Sequence, residues 1–126
     1  MHLPTEEEWE KAARGTDGLL YPWGDEWCDG YCNTEEAGQD KTTQVGHYSP
    51  LGDSPYGCVD MAGNVWEWTA SWYNKDEKRR VLRGGSWYHN QDYAHAAYRN
   101  YARAAYRNFG NGAGGFRLVV RRPPSQ

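Results

Sequence analysis

The ten residues Asp60-Met61-Ala62-Gly63-Asn64-Val65-Trp66-Glu67-Trp68-Thr69 pass from a turn into a strand. Asp, Gly and Asn in the first half are turn formers. From Val65 to Ala70 the side chains alternate, with Trp66, Trp68 and Ala70 on one side and Val65, Glu67 and Thr69 on the other. A strand with two indoles on one side needs a core of flat aromatic groups rather than branched aliphatics. The composition agrees: 7 Trp, 10 Tyr and 2 Phe stand beside six Leu, six Val and no Ile. The 15 glycines let backbone approach those rings closely. A helical bundle would carry Leu and Ala at helical period, and a disordered chain would not be 15% aromatic. The expectation is a loop-rich α+β domain.

Outward from this strand the sequence offers few regular elements. Thr5-Glu6-Glu7-Glu8 is a capping box, with an acidic first turn suited to the helix dipole. Trp9, Ala12 and Ala13 fall on one face behind it, and Arg14-Gly15 ends a helix of about ten residues. Tyr21-Pro22-Trp23-Gly24-Asp25 is a turn around aromatic anchors, and residues 28–56 read as loops, with Val45-Gly46-His47-Tyr48 at most a short strand. Arg80–Arg83, stopped by Gly84-Gly85, and Gly115–Val120 are the other two strand candidates. Between them Tyr93–Asn100 is repeated as Tyr101–Asn108, the copies differing only at His95/Arg103. A period of eight is too short for a solenoid unit, so this is a duplication within one loop-and-short-helix region. Trp66, Trp68, Trp72 and Trp87 are expected in the core, and Tyr98 and Tyr106 in core or scaffold.

The 126 residues suffice for one core, here taken as a single domain 1–126. No apolar run is long enough to span a bilayer, and no signal peptide is visible in the chain. Charge divides unevenly: 3 Lys+Arg against 14 Asp+Glu in residues 1–74, then 11 against 3 in residues 75–126. The arginines of the second part are scattered rather than clustered. They are expected to pair with the acidic first part, and no nucleic-acid partner is expected. Cys28, Cys32 and Cys58 are an odd number; plain thiols or a Cys28–Cys32 disulfide both fit, and zinc would find only His47 between Cys32 and Cys58.

Five ordered strings then resemble one family: Leu3-Pro4-Thr5-Glu6 with Glu8-Trp9-Glu10 and Ala12-Ala13-Arg14-Gly15; Tyr21-Pro22-Trp23-Gly24-Asp25; Asp60-Met61 with Gly63–Thr69; Arg83-Gly84-Gly85-Ser86-Trp87; and Gly115–Val119. Together they resemble the formylglycine-generating enzyme (sulfatase-modifying factor) domain, which implies a C-type-lectin-like fold. The enzymes so resembled oxidise a sulfatase cysteine using two copper-binding cysteines just after the Gly-Gly-Ser-aromatic string. Here Trp87–His95 holds no cysteine. The resemblance therefore implies the fold without that chemistry, and no copper is expected. An oxidase of this type, or an undiversified structural domain, is the alternative. The resemblance also implies a structural calcium site from the Asp60 and Glu67 carboxylates and the Gly63 and Val65 carbonyls, against a plain reading in which Asp60 caps the turn and Glu67 pairs with an arginine.

A second resemblance is to the variable proteins of diversity-generating retroelements, whose segment after Gly-Gly-Ser-Trp is rewritten at template adenines. Asn codons of the AAC type then yield Tyr, His, Asp, Ser, Gly, Ala or Phe, but not Lys, Glu, Met, Gln or Trp. Residues 88–114 contain no Lys, Glu or Met, and at the positions outside the repeat Gln91 alone falls outside the set. On this reading Tyr88, His89, Asn90, Asp92, Tyr93, His95, Tyr101, Phe109 and Asn111 form an exposed, variable ligand-binding surface. Arg99-Asn100, Arg107-Asn108 and Gly115-Phe116-Arg117 are its fixed scaffold. The residue types are those of a paratope, and the expected partner is a protein or a cell-surface ligand.

Overall fold

A computed structural model describes residues 1–103 and 113–120. Helix α1 spans Glu6–Arg14. Its capping box forms as expected: the Thr5 hydroxyl accepts from the Glu8 amide at 3.1 Å, and the Glu8 carboxylate accepts from the Thr5 amide at 2.9 Å. Four strands follow: β1 Trp66–Asn74, β2 Arg79–Arg83, β3 Asn100–Arg103 and β4 Gly114–Gly115. They form one sheet in the order β3-β2-β1-β4, with β1 and β3 antiparallel to β2, and β4 parallel to β1. Glu67 stands opposite Arg83, and Val81 opposite Tyr101. The remainder is turn, loop and two short 3-10 segments, Glu35–Ala37 and Gln91–Ala94. No helix among the described residues is long and apolar enough to cross a membrane.

The helix is fixed to the sheet by polar and aromatic contacts together. Trp9, 1% exposed, packs with Ala13, Met61 and Ala96, and its indole N–H donates to Glu67 at 3.0 Å. The Glu6 amide donates to the Ser71 hydroxyl of β1 at 2.9 Å. Beyond β2 the chain must turn sharply beneath α1. Gly84, at φ 101°, leaves room where a Cβ would lie 3.1 Å from the Trp9 ring, and Gly85, at φ 78°, would place one 3.1 Å from the Tyr93 carbonyl. Two glycines at left-handed φ are what this turn requires.

Several expectations need correction. The β1 strand is longer than Val65–Ala70, and β3 arises inside the repeat where a loop and short helix were expected. Val45–Tyr48 is a turn, closed by the His47 amide donating to the Gln44 carbonyl. Of Gly115–Val120 only Gly115 is in a strand proper; Val119 forms a single antiparallel bridge with His2. Trp66 is buried as expected, but Trp68 and Trp87 are only half-buried, and Trp72 is exposed with the Arg80 guanidinium 3.5 Å from its ring centroid. Tyr98 is exposed as well, and Tyr106 lies outside the described residues. All three cysteines are free thiols.

Candidate functional site

Charge pairing across the chain builds the platform. Arg83, 2% exposed, donates to Glu6 and Glu10 and to the Ala96 carbonyl, each at 2.9 Å. Arg99 forms a bidentate pair with Glu6 at 2.6 and 2.9 Å. Burial alone would raise the Glu6 carboxyl, but the two guanidiniums hold it below its ordinary value. Arg117 likewise grips Glu67 through both oxygens and also donates to the Val59 and Asp60 carbonyls. Three arginines of the second half, Arg83, Arg99 and Arg117, are thus tied to carboxylates of the first, whereas Arg79 pairs with Glu77 of its own half.

On this platform stands a band of rings. Tyr88 meets His89 at 5.4 Å, His89 meets Tyr93 at 5.1 Å, and Tyr93 meets Tyr98 at 5.1 Å. Tyr98 lies near Tyr73 and Tyr101: burial first, then Tyr93, Tyr73 and Tyr101 in turn, raise its phenol above the usual value. Tyr73 and Tyr101 stack at 4.6 Å, flanked by the guanidiniums of Arg99 and Arg79. Tyr88 is 59% exposed, Tyr101 44%, Tyr73 42% and Tyr98 36%. The exposed rings are thus Tyr88, Tyr98, Tyr101 and Tyr73, with the half-buried His89 and Tyr93 linking Tyr88 to Tyr98, and Tyr73 lies outside residues 88–114.

The structure divides the expected contact residues. Tyr88, Asp92 and Tyr101 are exposed. Tyr93 is half-buried against Trp66, His89 and Tyr98. His89 is a strut: its Nδ1 lies 2.7 Å from the Ser86 hydroxyl and accepts from the Trp66 indole at 3.2 Å. An indole only donates, so the ring is neutral with its proton on Nε2. Burial lowers its pKa, against a smaller opposite pull from Glu35. Asn90 caps the Gln91–Ala94 turn by accepting from the Asp92 amide, and His95 sets its edge against Tyr21 at 5.2 Å. Phe109 and Asn111 lie outside the described residues. Tyr98 was expected in core or scaffold but is exposed, and Tyr73 was assigned no role. For Tyr73 the signal was its place ahead of the polar run Asn74–Lys78, which marks an exposed hairpin end.

The implied calcium ligands converge only in part. Asp60, Val65 and Glu67 line one pocket of about 200 Å³ with Arg117. The Asp60 carboxylate accepts from the Gly46 amide at 2.8 Å, and both Glu67 oxygens are held by Arg117, one of them also by Trp9. A donor set whose main carboxylate is already neutralised by a guanidinium does not fit a dication as it stands. Among the described residues no three His, Cys, Asp or Glu side chains are grouped to hold a metal.

Comparison with known proteins agrees with this architecture. Residues 1–122 match the sulfatase-modifying factor enzyme 1-like domain, and the chain belongs to that family. It is 44% identical over 102 residues to the inactive C-alpha-formylglycine-generating enzyme 2 of Bos taurus, covering 71% of this chain and 33% of that protein. It is 40% identical over 86 residues to the formylglycine-generating enzyme of Thermomonospora curvata, covering 59% of this chain and 28% of the enzyme. The chain thus spans about a third of the length of the curated relatives it matches. Treponema denticola variable protein 1 superposes with a TM-score of 0.78 at 29% identity, over 91% of this chain and 45% of the other. The fold is the C-type-lectin-like one shared by these proteins.

Proposed function

We propose that this chain is a non-enzymatic binding domain that displays a diversified surface, in the manner of the variable proteins of diversity-generating retroelements. The observation that carries the reading is the set of exposed tyrosines, Tyr88 and Tyr98 joined through the half-buried His89 and Tyr93, and Tyr101 stacked on Tyr73, seated on a platform cross-tied by buried ion pairs. Tyrosine supplies broad amphipathic contact with few rotors to immobilise. The likeness to a variable protein supports the display role. The relatives named inactive support the lack of chemistry, as does the composition of the tract after Ser86, which has no thiol to bind copper or attack a substrate. Cys28, Cys32 and Cys58 lie elsewhere, and burial pushes the Cys32 thiol up to about 12, leaving it protonated and inert at neutral pH. The partner is a protein or another cell-surface molecule.

Two measurements test this. Tyr88→Ala with Tyr101→Ala should leave the melting temperature within a degree or two while removing binding to the cognate partner; unfolding of the pair variant would place these rings in the core. Sequencing the locus should find a reverse transcriptase and a template copy of codons 88–114 that differs only at adenines. A locus without such a template defeats the diversification reading, and turnover of a cysteine-containing sulfatase peptide by the purified chain defeats the non-enzymatic one.

A further inference from the structure

At the Tyr88 end of the band the structure holds a cleft of about 370 Å³ lined by Glu35, Asp40, Trp87 and Tyr88. Trp87 and Tyr88 stand nearly at right angles, 80°, with ring centroids 5.7 Å apart, so they make two adjoining aromatic walls. Trp87 is set in place by its amide donating to the Asn64 carbonyl at 3.0 Å. Glu35 is set at the rim by its amide donating to the His89 carbonyl at 2.9 Å. Among the described residues neither the Glu35 nor the Asp40 carboxylate is paired with a cation. This differs from Glu6, Glu10 and Glu67, each of which has an arginine. The Trp87 indole N–H is buried and has no acceptor.

We propose that this cleft is a subsite for the cationic side chain, lysine or arginine, of a bound polypeptide. Ring faces attract an ammonium or guanidinium through their quadrupole, and two carboxylates at the rim supply the countercharge. The Trp87 indole N–H is itself buried, so it does not bond the ligand but reports on the ring that a bound cation faces; the occupant is a polypeptide side chain because the cleft adjoins the exposed tyrosines of the proposed protein-binding face. Three of the four walls, Glu35, Asp40 and Trp87, lie outside residues 88–114. The subsite therefore rests on reading this face as a binding surface but not on its diversification: a constant cation hold beside changeable contacts.

The probes are Nα-acetyl-lysine methylamide, Nα-acetyl-arginine methylamide and, as the uncharged match, Nα-acetyl-norleucine methylamide, titrated into the ¹⁵N-labelled chain. The expected result is a saturable shift of the Trp87 indole N–H with the lysine or arginine probe and none with norleucine. Glu35→Gln with Asp40→Asn should weaken binding about tenfold, the order that two screened carboxylates supply, without disturbing the remaining spectrum. Tyr88→Phe should retain binding and Tyr88→Ala reduce it. Equal response to norleucine, a non-saturating response, or undiminished binding by the Glu35/Asp40 variant would each overturn the proposal. None of these outcomes bears on whether a template copy of the tract exists, so the two readings fail separately.

Discussion

Arg83→Met should destabilise the chain far more than Arg99→Met, although both arginines bond the same carboxylate. The Arg83 side chain is 3% exposed and the Arg99 side chain 45%. Removing one partner of a buried pair costs about 3–5 kcal/mol when a charge is stranded. Here nothing charged is stranded, because Glu6 keeps Arg99 and Glu10 keeps Arg14 at 3.0 Å. What remains is the lost pair and the Ala96 carbonyl deprived of its Arg83 donor, together about 2–3 kcal/mol. Arg99 is screened by water, so its loss costs about 0.5–1 kcal/mol. For a chain of this size the Arg83 variant should melt roughly 6–15 °C lower. Urea unfolding followed by tryptophan fluorescence gives both values, and a cycle with Glu6→Gln should show coupling to Arg83 of about 1 kcal/mol or more. The acid limb provides a second check. Glu6 is held below its ordinary 4.5, so its stabilisation is present above that pH and is lost as pH falls through the lowered native value. Arg83→Met should shallow that loss. Equal costs for the two arginine variants, or an Arg83 variant within about 0.5 kcal/mol of the parent, would refute the claim that buried pairing holds the platform.

Three further outcomes follow from the same geometry. Because burial holds His89 below its ordinary 6.5, native stability is full above that pH and falls as pH drops toward the lowered value. His89→Asn should flatten the fall in melting temperature below the ordinary 6.5, and an unchanged slope would remove His89 as the strut. Gly63→Ala would set a Cβ 2.4 Å from the Asn33 carbonyl at φ 74°; a loss of at least about 3 kcal/mol in chemical denaturation is expected, and tolerance would mean the Asn33–Gly63 crossing yields. Millimolar calcium should leave the melting temperature unchanged, because Arg117 occupies Glu67; a rise abolished by Glu67→Gln would show that the guanidinium gives way and the calcium reading holds.

Elements whose cause is local were legible in the sequence. The α1 helix carries its own cap, first-turn charge and stop, and β1 and β2 carry alternation and a glycine stop. Strand β3 was not legible, because Asn100-Tyr101-Ala102-Arg103 has no strand signature of its own. It becomes a strand because the outer edge of β2 offers unpaired backbone groups, with Leu82 opposite Asn100 and Arg79 opposite Arg103. The pairing of Glu6 and Glu67 with arginines 93 and 50 positions away follows the charge division of the chain, but which arginine meets which carboxylate depends on the sheet register.

The same limit governs the contact surface, and the repeat shows why. Tyr93 and Tyr101 occupy the same place in the two copies, yet Tyr93 is wedged among Trp66, His89 and Tyr98 while Tyr101 lies open on Tyr73. Ala94 is wholly buried and its counterpart Ala102 is not. Tyrosine has an apolar body and a wet tip, so one residue type serves as packing or as contact according to what the backbone places beneath it. Residue type therefore marks the tract as suited to recognition but does not sort its members. The sorting comes from the scaffold: side chains over the Ser86–Trp66 floor, such as His89 and Tyr93, hold the tract down, and those beyond it, Tyr88, Tyr98 and Tyr101, remain available. Substitutions in the second group should change what is bound, whereas those in the first should also change how firmly the surface is held.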